Sequence, residues 1–131
     1  MAIQLSVAVR NAKLDAVETA IGTAPTLELR SGAQPANCAA ADSGTLLASM
    51  ALPSDWMAAA AAGGKGLAGT WQDPAADAAG TIAHFRIKQG ATCHMQGSVG
   101  VGSGDLEVDN DSVGVGQQVT ITAFDLTEGN A

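Results

Sequence analysis

Three groups of side chains in this sequence are of types that do chemistry. The first is Asp105, Glu107, Asp109, Asn110 and Asp111. Alternate carboxylates on one strand face, followed by a turn, are the hard oxygen donors that Ca²⁺ takes. The spacing departs from the EF-hand loop, with no glycine and no distal glutamate where that loop needs them. The plainer expectation is a solvated strand face running into an Asx turn. The second is Gly97-Ser98-Val99-Gly100-Val101-Gly102-Ser103-Gly104. Its glycine density resembles a phosphate loop, but it lacks the Lys-Ser/Thr ending, and no helix follows to hold an anion. A flexible hairpin connection is expected instead. The third is Cys93 with His84 and His94. His94 points to the opposite strand face from its neighbour Cys93. An activated thiol would require His84 to lie opposite Cys93 across a hairpin of residues 81–88 and 91–99, with an orienting acid and an oxyanion hole that nothing here identifies.

No Gly-x-Ser-x-Gly elbow occurs. The sequence therefore assigns no catalytic, cofactor-binding or metal-ligating residue, and the chain is expected not to be an enzyme. Trp56 and Trp71 could be exposed sugar platforms, but large indoles more often fill a small core. Cys38 and Cys93 belong to no CxxC or CxxH pair. Two reduced, buried thiols are expected after cytoplasmic synthesis, with a disulfide formed on release as the alternative.

The elements that must position these groups are mostly strands. Residues 6–21 form the one expected long helix: Ser6 can cap it, and Val7, Leu14, Val17 and Ile21 make a narrow apolar stripe interrupted by Arg10. Gly22 stops it and Pro25 prevents a restart. The stripe can pack on the chain's own sheet or on a neighbouring subunit. Beyond it the period changes to two. Strands are expected at 26–30, 45–52, 67–72, 81–88, 91–99, 105–109 and 117–126, with a short alanine-rich helix at 56–62 and a loop at 36–44. Short strands about ten residues apart indicate a mainly β fold, an antiparallel β-sandwich or barrel with an N-terminal α-helix. The expected organisation is an arm over 1–24 and a β domain over 25–131. No internal repeat is found.

Bulk composition narrows the function classes. Of 131 residues 27 are alanine, while Leu, Ile, Val and Phe supply 26, a thin core that favours oligomerisation or docking. Net charge is −7, and the six basic residues form no run. That argues against nucleic acid and anionic membrane as partners. No stretch reaches the roughly 20 apolar residues of a membrane span, and the N-terminus lacks the pattern of a secretion signal.

The stretches LELRSGAQPANCAAADSGTLLASMALP, GTIAHFRI, GSVGVGSGDLEVDN and GQQVTITAFDLTEGNA run through residues 27–53 and 80–131. In them the chain resembles small virion-associated structural proteins of tailed bacteriophages. The resemblance implies a structural virion protein made in the host cytoplasm, and it supplies no catalytic residue. Capsid decoration (cement) on the outer capsid surface comes first, with the major capsid protein or other virion proteins as partners and a homo-oligomer, a trimer at threefold positions, as the form. A tail- or fibre-associated role comes second, and a carbohydrate- or receptor-binding module third. On this reading the helix is a docking arm, with Val7, Leu14, Val17 and Ile21 as its partner-binding residues.

Overall fold

The computed structural model describes residues 3–128 and shows a mainly β chain with one N-terminal helix. Helix α1 spans Val7–Ile21. Ser6 Oγ accepts the Val9 N–H at 3.2 Å, relieving an orphan donor of the first turn. Gly22, at φ 107°, ends the helix and returns its N–H to the Glu18 carbonyl. An L side chain would be strained at that φ.

Ten strands follow: β1 (Pro25–Arg30), β2 (Leu46–Ala51), β3 (Gly64–Gly66), β4 (Gln72–Asp73), β5 (Gly80–Thr81), β6 (His84–Gln89), β7 (Thr92–Gly100), β8 (Leu106–Val108), β9 (Ser112–Val113) and β10 (Val119–Thr127). The main sheet runs β2-β1-β6-β7-β8-β10-β3, with β4 also paired to β10, while β5 and β9 form a separate ribbon. The sheet curls into a half-barrel. Strand β2 meets β4 and the segment after it, where Asp73 Oδ2 accepts the Ser49 N–H at 3.0 Å and the Leu47 carbonyl accepts the Asp77 N–H at 2.8 Å.

The core lies inside the curl. Leu27 and Leu29 of β1, Leu47 and Ala48 of β2, and Ile87 of β6 are fully buried there. The alternating pattern of β1, buried at every second residue, shows one face turned inward. All four aromatic residues stack in one row: Trp56 to Trp71 (centroids 5.9 Å), Trp71 to Phe124 (5.6 Å) and Phe124 to Phe85 (5.5 Å, edge to face).

Three expectations are corrected. The sheet is not wholly antiparallel, because β7 and β8 pair in parallel at Val99–Leu106 and Gly100–Glu107. The glycine-rich run is therefore not a hairpin connection. Five residues, 101–105, return the chain to the same direction, where parallel neighbours normally need about a dozen. Gly104 makes this possible: its φ is 93°, and a Cβ there would sit 3.0 Å from the Gly100 nitrogen. Residues 56–62 are not helical: bridges form at Met57–Leu67 and Ala61–Gly64, and the chain turns at Ala62, φ 52°. The N–H groups of Met57 and Ala60 go to side chains of α1, and those of Ala58 and Ala61 to carbonyls of β3, instead of to a helix of their own.

Candidate functional site

The outer face of β1 and β6 carries a buried cluster of charge. Arg86 is 2 % exposed in the middle of β6, with Lys88 beside it and Glu28 and Arg30 on β1. The loop 35–42 folds over them. Asp42 holds Arg86 through one oxygen and Lys88 (2.6 Å) and Arg30 (3.2 Å) through the other. Glu28 pairs with Lys88 at 3.1 Å and Arg30 at 3.0 Å. Arg86 also donates to the carbonyls of Asn37, Cys38 and Ala40, each at 3.1 Å. Hydrogen bonds from Lys88 and Arg86 bring the Asp42 carboxyl down from 3.8 to about 2.

A disulfide, Cys38–Cys93, fastens the same loop to β7. The expectation of two reduced, buried thiols is thus corrected: both cysteines are half-buried and joined to each other. The fold of loop 35–42 over the sheet brings their Cα atoms to 5.2 Å, within the range a disulfide spans. The postulated thiol–imidazole pair is corrected too. β7 pairs with β6 in a register that sets His84 opposite Ser98 and Cys93 opposite Lys88. His84 is buried, and its Nδ1 donates to the Gly32 carbonyl at 3.0 Å. His94 is exposed on β7.

Helix α1 lies on the β domain along a seam that is more polar than apolar. Asn11, Asp15 and Glu18, at helical spacing, accept the N–H groups of Gly63 (2.9 Å), Ala60 (3.0 Å) and Met57 (3.3 Å). Lys65, 3 % exposed, reaches Asp15 at 2.6 Å and Glu18 at 2.9 Å. Burial alone would lower its pKa, but bonds to these two carboxylates outweigh that and raise it, while the bond from Lys65 lowers Asp15. Of the stripe expected to bind a partner, Leu14 and Ile21 are buried, Val17 is half-buried against the core, and Val7 is 45 % exposed. The surface that covers the three inner members is the chain's own β domain.

All six basic residues are engaged internally. Lys13, Arg30, Lys65, Arg86 and Lys88 are ion-paired, and Arg10 donates to the Glu128 carbonyl at 3.3 Å. Five of the thirteen acidic residues hold these cations. Among the described residues the other eight have no cationic partner. The 105–111 segment forms the turn expected of it: Asn110 Oδ1 accepts the Ser112 N–H and Asp109 Oδ1 accepts that of Thr120. No group of three potential metal ligands gathers among the described residues. Trp56 and Trp71 are 0 % and 1 % exposed, so neither indole offers a platform.

The sheet is split beside this acidic segment. β8 pairs with β7 only at Val99 and Gly100, and with β10 only between Ile121 and Phe124. Before Ser98, β7 has no strand on that side among the described residues, and neither has β10 after Phe124. A hollow of about 490 Å³ occupies the gap, with Phe85 and Phe124 beneath it and Asp105, Glu107 and Asp125 around it. The expected strands at 91–99, 105–109 and 117–126 gave no signal for it, because a gap between strands far apart in the chain has no local periodicity.

Comparison with family models, curated proteins and solved structures finds no match to this chain.

Proposed function

We propose that this chain is a structural protein of a tailed-bacteriophage particle, in first place a capsid decoration (cement) protein on the outer capsid surface. Its partners are the major capsid protein or other virion proteins, and its own copies in a homo-oligomer such as a trimer. The Cys38–Cys93 disulfide carries the reading. A particle protein is made in a reducing cytoplasm and used outside it, where a staple across the domain closes and persists. The same bond removes Cys93 as a nucleophile, which supports a non-enzymatic role. A surface whose cations are all spent internally disfavours nucleic acid and anionic membrane, and no helix among the described residues is long and apolar enough to cross a membrane. Many copies on a lattice need only modest affinity each.

Of the sandwich and the barrel, the barrel fits better, since the ends of the curled sheet approach each other at residues 47–49 and 73–78. A tail or fibre position is the second form of the same reading. The carbohydrate-binding alternative loses its two indole platforms, since Trp56 and Trp71 lie inside, and rests on the glycine-rich loops alone.

Mass spectrometry of purified particles produced from the encoding genome tests the proposal. High copy number is expected, with the chain released by mild denaturant before the shell. Its absence from particles overturns the reading.

A further inference from the structure

The split in the main sheet is an unfinished piece of β-structure. Ser98 N–H points away from β6, because it donates to Asp105 Oδ2 at 2.9 Å. Strand alternation puts the backbone groups of Gln96 on that same open side. On β10, the Phe124 carbonyl and the Glu128 N–H bond across to Leu67 and Gly63 on the β3 side. The Asp125 carbonyl and both backbone groups of Thr127 therefore face the gap from its other bank, while the Asp125 N–H closes the Phe124–Leu106 pair with β8. At the β8 end the two banks stand two inter-strand spacings apart, about 9.6 Å, which is the room one strand takes.

The lining dictates what kind of strand fits. Phe124 is buried and Asp125 exposed, and Glu107 lies between buried Leu106 and Val108. The inner side of the gap is thus aromatic and the outer side acidic. None of Asp105, Glu107 and Asp125 has a cationic partner among the described residues. An occupant would place apolar residues inward over Phe85 and Phe124 and basic residues outward. A second copy of this chain is poorly suited, since its own cations are already engaged.

We infer that the gap between β7 and β10 receives an extended, alternately apolar and basic segment of a partner protein, which enters as an added strand in line with β8. Main-chain bonds to Gln96, the Asp125 carbonyl and Thr127 hold it, and opposite charge on the outer face selects it. This goes beyond the virion reading and stands without it, because it needs only the gap.

The test uses the full chain, labelled for amide NMR, and a short synthetic peptide alternating valine and lysine. Binding is expected with slowed hydrogen exchange at the amides of Gln96 and Thr127. A peptide with proline at its centre loses one main-chain bond, and its ring cannot fit against the neighbouring strand, so it should bind roughly tenfold more weakly or worse. Glutamate in place of lysine should abolish binding, and Asp125→Asn should weaken it while leaving the unfolding midpoint unchanged. Equal binding of the proline peptide would reduce the interaction to surface charge and overturn the inference. So would protection that maps elsewhere, or no binding at all.

Discussion

Asp42 is the residue on which most cationic side chains converge, and it sets the acid limb of stability. Its carboxyl titrates near 3.8 unfolded and about 2 folded. Its contribution is therefore fully present above the unfolded value and is lost as pH falls from about 4 to about 2. Urea midpoints measured at descending pH should fall through that window, and Asp42→Asn should flatten the fall. Lys65 presents the opposite case, a buried cation with partly solvated partners. Asp15 is half exposed, so water can replace the ammonium on one side. Removing both acids with Asp15→Asn and Glu18→Gln strands a buried charge and should cost about 3 kcal/mol. Lys65→Met, which removes the charge itself, should cost clearly less in the same equilibrium unfolding assay. The reverse order would show that the carboxylates, not the ammonium, bear the desolvation.

At the scale of elements, α1 belongs to the domain's structure. Leu14→Ala should destabilise the whole domain by about 2–4 kcal/mol, and Ser6→Ala by about 1 kcal/mol, both read from cooperative urea unfolding. A helix that was only an external arm would leave the β transition untouched. The bounds of α1 were legible in its Ser6 cap, its stripe and Gly22, because these are local signals. Its docking mode was not. It depends on Asn11, Asp15 and Glu18 matching the N–H groups of 63, 60 and 57, a spacing that has meaning only once the two segments are side by side. The β6–β7 hairpin was likewise legible from alternation and the turn at Gly90. Burial on both faces of β6 was not, because Arg86 and Lys88 read as solvent-facing until loop 35–42 covers them. Strands of two or three residues such as β3 and β4 are too short to show a period. Glycines at 100–104 mark a turn without saying in which direction the chain leaves it. The candidate site was the least legible part, being built from strands that β8 only partly joins.

The molecule as a whole is closed by one covalent bond between residues 55 apart in sequence. Loop closure of that length restricts the unfolded chain by roughly 4 kcal/mol in the chain-entropy account. Reductant, or the Cys38→Ser/Cys93→Ser pair, should lower unfolding stability by an amount of that order. An unchanged urea midpoint under reducing conditions would remove the staple's role. The row of four aromatic rings has its own consequence. The protein has no tyrosine, so its intrinsic fluorescence comes from Trp56 and Trp71 alone. Trp71 touches Phe124, and Phe124 is the floor of the gap. The molecule thus has a built-in optical gauge: a segment settling over Phe124 changes the surroundings of an emitter one ring away, and occupancy can be followed in unlabelled protein by the colour and intensity of its light.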